Sequence, residues 1–147
     1  MSEEYASEMF RKALEAMGNN QEFLALSLFE KAQIMAKDPL YLSSKALCVA
    51  RVRRSFKEAI YLCRDALDIE PANPVHYLHL GRIMLLAGQK RKAIAAFRDG
   101  LKRGENPEII AEMEKLGKRK APVFKFLDRG HPLNRISGLM LSKIGMR

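Results

Sequence analysis

Thiols are scarce in this chain: Cys48 and Cys63 are the whole supply among 147 residues. Two are too few for a disulfide framework, and their spacing fits no zinc pattern. Cysteine on the apolar side of a helix acts as a small buried hydrophobe, and that is the expectation for both. Long apolar runs are missing too. No stretch approaches the roughly 18 consecutive apolar residues that a membrane-crossing helix needs, and the N-terminal MSEEYASEMF is acidic, unlike the charged-then-apolar layout of a secretory signal. A cytoplasmic chain with no membrane span is expected. A glycine-rich phosphate loop and a nucleophile elbow are both missing, and no strand is there to carry either. His76 and His79 form a pair at helical spacing, but no Cys, Asp or Glu accompanies them at ligand spacing. The sequence therefore predicts no catalytic residue, no metal site and no cofactor, and a non-catalytic chain is the expectation.

What is present is apolar and helical. With 48% hydrophobic and 29% charged residues, the chain has the composition of a globular protein with enough length for one core. The net charge of +9 is unevenly spread. Residues 1–50 carry five Lys/Arg against seven Asp/Glu, residues 51–116 thirteen against nine, and residues 117–147 eight against one. The basicity thus belongs mainly to the tail. That tail lacks the aromatic interleaving of base-stacking modules, so nucleic acid is an unlikely partner.

Apolar residues recur at spacings of three and four along most of the chain, the mark of amphipathic helices. Met9, Phe10, Ala13, Leu14, Ala16 and Met17 form a first helix, ended by Gly18-Asn19-Asn20. Phe23, Leu26, Leu28, Phe29, Ala32 and Met35 form a second, which stops before Asp38-Pro39. A third contains Leu42, Ala46, Leu47, Val49 and Ala50. The fourth opens with Ser55-Phe56-Lys57-Glu58, which reads as a capping box. The clearest stretch, from Pro74 to Pro107, is two such helices joined at Gly88-Gln89 and bounded by prolines where a helix may start but cannot continue. Sliding its second helix back by one repeat lays Ala59, Cys63 and Ala66 on Ala93, Phe97 and Gly100; sliding it back by two lays Ala25, Phe29 and Ala32 on the same slots. Small residues at Ala13, Ala25, Ala32, Ala59, Ala66, Gly81, Ala93 and Gly100 let paired helices approach, while Phe29, Phe97 and Leu101 fill the gap to the next pair.

The period of 34, with Tyr77, Leu80 and Gly81 on the first helix and Ala93, Phe97 and Leu101 on the second, resembles the tetratricopeptide repeat. Met84 stands where that family usually has an aromatic, and Gly100 where it has alanine. The resemblance implies an all-α fold: a right-handed superhelical solenoid of three hairpins over residues 4–37, 39–72 and 73–106. A capping helix at 107–117 completes a repeat domain of 4–117, with a basic, apolar extension at 118–147. No single hairpin buries both faces, so the three stack and the last face needs a cap.

The same resemblance implies a groove lined by the first helix of each repeat. Its candidate partner-binding residues are Phe10, Arg11 and Leu14, with Ser7 beside them; Tyr41, Lys45 and Cys48, with Ser44; and Val75, Leu78, His79 and Arg82. In a subfamily that grips chaperone carboxylates, a lysine, arginine and asparagine constellation occupies places held here by Phe10, Leu14, Lys45, Val75 and His79. Lys45 is the only charged group among them, so the carboxylate clamp is absent. The leading expectation is a non-catalytic interaction module that binds a protein or a peptide with apolar anchors and some acidic character, or its own tail, as an adaptor or assembly factor. A small secretion-type or assembly chaperone is the alternative, as is binding of an anionic surface or nucleic acid through the tail. In the tail, Val123–Leu127 reads as extended, and Leu133, Ile136, Met140 and Ile144 recur at helical spacing. These residues fold back on the repeats, pair with a second copy in self-association, or dock on a partner. Arg51, Arg53 and Arg54 read as a solvated helix terminus whose charge complements the dipole.

Overall fold

The computed structural model describes residues 1–118. The extended segment and helix expected between Val123 and Ile144, and with them tail-mediated self-association, lie outside the described residues. Those residues form seven helices and no strand: α1 (Ser2–Gly18), α2 (Glu22–Met35), α3 (Pro39–Arg53), α4 (Phe56–Ile69), α5 (Pro74–Leu86), α6 (Lys90–Arg103) and α7 (Pro107–Lys118). Two compact units divide the chain, Met1–Ile109 and Ile110–Arg147. In the first, α1 packs on α2, α3 on α4 and α5 on α6, and the hairpins join through α2 on α3, α3 on α5 and α4 on α5. The result is an all-α helical-repeat solenoid. The last helix, α7, runs on through Gly117 to Lys118.

Short polar side chains start three of the odd-numbered helices. Asp38 accepts the Leu40 amide at 2.8 Å, Asn73 the Val75 amide at 3.0 Å, and Asn106 the Ile109 amide at 3.1 Å. A proline follows each of the three, at a position whose missing N–H would be unpaired anyway. Asp38-Pro39 is therefore less the stop of α2 than the start of α3. The capping box expected at Ser55 is not formed: the hydroxyl makes no cap hydrogen bond. Its ψ of 75° falls short of the extended values of 126° at Asp38 and 112° at Asn73, so the side chain is not aimed along the new helix. One left-handed residue turns each hairpin, Asn20 (φ 59°), Arg54 (φ 56°) and Gly88 (φ 76°), and the three stand at the same place in successive repeats.

The small-residue slots are buried throughout. Phe97 presses on Gly81 within its own hairpin, and Phe29 meets Phe10 of α1 with ring centroids 5.6 Å apart. Leu101 is half-buried. Gly100 is glycine for a local reason: a Cβ there would lie 2.8 Å from both Ile109 Cδ1 and Tyr77 Cβ. Two apolar residues of α2 stay outside the core. Phe23 is 79% exposed and Met35 is largely open. Phe23 precedes Ala25 by two residues, about 200° round the helix, so it points away from the stripe of Ala25, Phe29 and Ala32.

Candidate functional site

The first helices of the three hairpins enclose a depression of about 570 Å³. Phe10, Leu14 and Met17 line it from α1, Leu40, Ser44, Leu47 and Arg51 from α3, and Val75, Leu78, His79 and Arg82 from α5, with Glu108 at its edge. Six of the ten sequence-based candidates are thus brought together, Phe10, Leu14, Val75, Leu78, His79 and Arg82, and of the two serines named beside them Ser44 lines the depression and Ser7 does not. Leu14, at 48% exposure, is the open apolar surface; Leu78, at 2%, is mostly spent on packing.

The other four lie elsewhere. Arg11 is on the exposed side of α1, paired with Glu8 and Glu15 of the same helix. Tyr41 is buried in a cluster with Ala6, Met9 and Ala32, its ring stacked on Phe10 at 4.5 Å. Cys48 has no exposed surface, and its thiol donates to the Glu22 carbonyl at 3.3 Å. Lys45 is half-buried outside the lining.

The error on α3 has one cause. Projecting Val75, His79 and Arg82 back by one repeat period gives Tyr41, Lys45 and Cys48, but the caps Asp38 and Asn73 are spaced one position wider than that period. Counting from the caps gives Leu40, Ser44 and Leu47, which are the residues that line the depression. The one-position difference turns the helix by about 100°. Arg51, read as a solvated terminus, continues that stripe at a further helical turn and also lines the depression. Arg53 does pair at the surface, with Glu30 at 3.0 Å.

The polar part of the site is a chain of hydrogen bonds across helices. Glu70 Oε2 lies 2.8 Å from His76 Nε2, His76 Nδ1 lies 2.8 Å from Ser43 Oγ, and Ser43 Oγ lies 2.9 Å from His79 Nδ1. His76 and Ser43 are wholly buried. Hydrogen bonds from His76 and then Asn73 hold the Glu70 carboxyl below its usual range. A carboxylate can only accept, so His76 carries its proton on Nε2. Where the ring carries only that proton, its Nδ1 accepts from the Ser43 hydroxyl at 2.8 Å, a closer acceptor than the Leu40 carbonyl at 3.4 Å. That hydroxyl has one proton, so His79 Nδ1 must donate to the same oxygen. His79 Nε2 is left as a lone-pair acceptor, with no hydrogen bond among the described residues. No buried side-chain N or O there lacks a partner, so this nitrogen is open. Burial, then Arg82, His76 and Arg51, push the His79 pKa down to about 3.

Glutamate, histidine and serine in series are also the composition of a hydrolase triad. The Ser43 oxygen is sealed between two imidazoles, however, and reaches no substrate. No group of three or more metal-ligating side chains occurs among the described residues, and none of their helices is long and apolar enough to cross a membrane.

Residues 53–115 match the family described as Tetratricopeptide repeat. Among solved structures, the fold is similar to the Arabidopsis OM64 TPR domain, with a TM-score of 0.64, 21% identity, and coverage of 82% of this chain and 100% of that one. It is similar to the first TPR of Spaghetti (RPAP3) bound to the HSP90 peptide SRMEEVD, with a TM-score of 0.65, 16% identity, and coverage of 80% and 96%. The Sgt2 TPR domain from Aspergillus fumigatus gives 0.61 and 17%, covering 88% and 93%. At these identities the likeness is one of fold. No curated protein matches the chain in sequence.

Proposed function

From the tetratricopeptide-repeat match over residues 53–115 and the likeness of fold, we propose that the depression between α1, α3 and α5 holds an apolar peptide segment of another protein, so that the chain acts as an adaptor or assembly factor. The observation that carries this reading is the convergence of Phe10, Leu14, Leu47, Val75 and Leu78 from three helices on one open depression. A leucine- or phenylalanine-sized side chain seated there would gain about 1.5–3 kcal/mol from burial. The RPAP3 neighbour is bound to the acidic peptide SRMEEVD. Here Phe10, Leu14, Lys45, Val75 and His79 stand at the places the carboxylate-gripping subfamily uses, so the clamp is not formed; with Arg51 and Arg82 also in the lining, a peptide with apolar anchors and some acidic character suits it.

The test is selection of peptides from a displayed random library on the full chain, followed by titration against two variants. Leu14→Glu puts a charge on the open wall of the depression, and Phe23→Glu puts the same charge on an exposed apolar residue of α2. Selected peptides should bind Leu14→Glu at least tenfold more weakly and Phe23→Glu as well as the parent. Equal loss in both, or loss in neither, would overturn the assignment.

A further inference from the structure

The bond pattern from Glu70 to His79 defines more than a buried network. We propose that His79 Nε2 is the specificity-determining polar contact of the depression, accepting a neutral N–H, amide or indole, that the bound peptide carries beside its apolar anchor. This rests on the peptide-binding reading above and deepens it. Glu70 accepts from His76 Nε2, the Nδ1 of a singly protonated His76 accepts from the Ser43 hydroxyl, and the Ser43 oxygen can then only accept from His79 Nδ1. The proton order on an imidazole in the depression is thereby set from a carboxylate outside its lining.

Charge narrows the class of donor. Arg51 and Arg82 line the same depression. Arg82 is paired with Glu108 at 3.2 Å, while Arg51 makes no ion pair among the described residues. Both arginines already disfavour positive charge at His79, so a lysine or arginine side chain is a poor donor to Nε2. A backbone amide or an indole brings a hydrogen without a charge.

Two measurements on the full chain test this. In two-bond proton–nitrogen spectra of ¹⁵N-labelled protein at pH 7.5, His79 should show its proton on Nδ1. Ser43→Ala should move it toward Nε2; because that variant leaves a buried gap, Glu70→Gln, at a side chain open to solvent, serves alongside it and should mix the two tautomers. A proton on His79 Nε2 in the parent, or no change in a folded Glu70→Gln, would overturn the relay whatever the depression binds. In the second measurement, indole is compared with benzothiophene, which has the same shape and no N–H. Indole should perturb the Leu14 and Val75 methyl signals and bind about fivefold more tightly, and Glu70→Gln should reduce that preference. Equal affinity of the two probes would refute the donor-reading role while leaving an apolar depression. Failure of both to perturb the methyls would remove the peptide-binding reading and this inference with it.

Discussion

Gly81 and Phe97 interlock so closely that a Cβ on Gly81 would be driven into the Phe97 ring. Both are fully buried where α5 crosses α6. Gly81→Ala gains up to about 1 kcal/mol of helix propensity, but overpacking of this kind costs about 1–3 kcal/mol. The expected result is a net loss, read as a lower midpoint in urea. Because the collision is with one ring, Phe97→Leu in the Gly81→Ala background should recover part of it. A double-mutant cycle with no coupling would show that the contact is not the cause.

The hairpins were legible in the sequence because their determinants are local and repeated: small residues at the crossings, and turns that recur once per repeat at Asn20, Arg54 and Gly88. Phe10 and Leu14 of α1 and the lining of α5 were legible for the same reason, whereas Arg11 of α1 faces out and pairs with Glu8 and Glu15. The lining of α3 was not, because its register follows the caps Asp38 and Asn73, and Asp38 reads equally as the end of one helix or the start of the next. The polar chain had no local signal at all. Ser43 meets His76 and His79 from 33 and 36 residues away, and in sequence it is one serine among several on a helix. Arg51 was readable in principle, as the next turn of a stripe through Ser44 and Leu47.

Arg54 ends α3 in the left-handed region, φ 56° and ψ 22°, at the turn position that Gly88 fills one repeat later. A side chain there costs about 1–2 kcal/mol, whereas glycine adds about 0.4–1 kcal/mol of unfolded-state entropy. The Arg54 guanidinium also lies 4.7 Å from the centre of the Phe56 ring, an exposed contact of modest value. Arg54→Gly should therefore stabilise the chain by about 0.5–1 kcal/mol, a rise of about 2–4 °C in Tm. Gly88→Arg should act in the opposite sense. Thermal unfolding of both variants checks the pair, and a lower Tm for Arg54→Gly would mean that the ring contact outweighs the backbone strain.

Both thiols should be inert in the folded chain. Burial pushes Cys63 up to about 12. At Cys48, burial and then the Glu22 carboxylate push the pKa up to about 11. Each thiol donates to a carbonyl at 3.3 Å, Cys63 to His76 and Cys48 to Glu22, which further holds the proton. The thiolate is the reactive form, so a disulfide reagent at pH 8 should label neither residue until denaturant unfolds the chain, and then both. Fast labelling of Cys48 in native buffer would contradict its placement between α2 and α3.

His79 should make stability depend on pH in a window where carboxylates do not. Its folded pKa, about 3, lies below the ordinary histidine value of about 6.5, so the unfolded chain takes up the proton first. Stability from this residue is full above about pH 6.5 and falls as pH drops toward 3, with a slope of at most about 1.4 kcal/mol per pH unit. The carboxyls of Glu8 and Glu70 are held low by Arg11 and His76 respectively, so their contribution is lost only below the ordinary carboxylate range. Between pH 6.5 and 5 the decline therefore belongs to histidine. His79→Asn keeps an N–H donor near Ser43 and removes the titration. The urea midpoint of the parent should fall from pH 7.5 to 5, while that of His79→Asn should fall by clearly less. Parallel decline of the two would show that His79 is protonated in the folded chain as readily as in the unfolded one, and would detach it from the depressed pKa that burial, Arg82 and Arg51 impose.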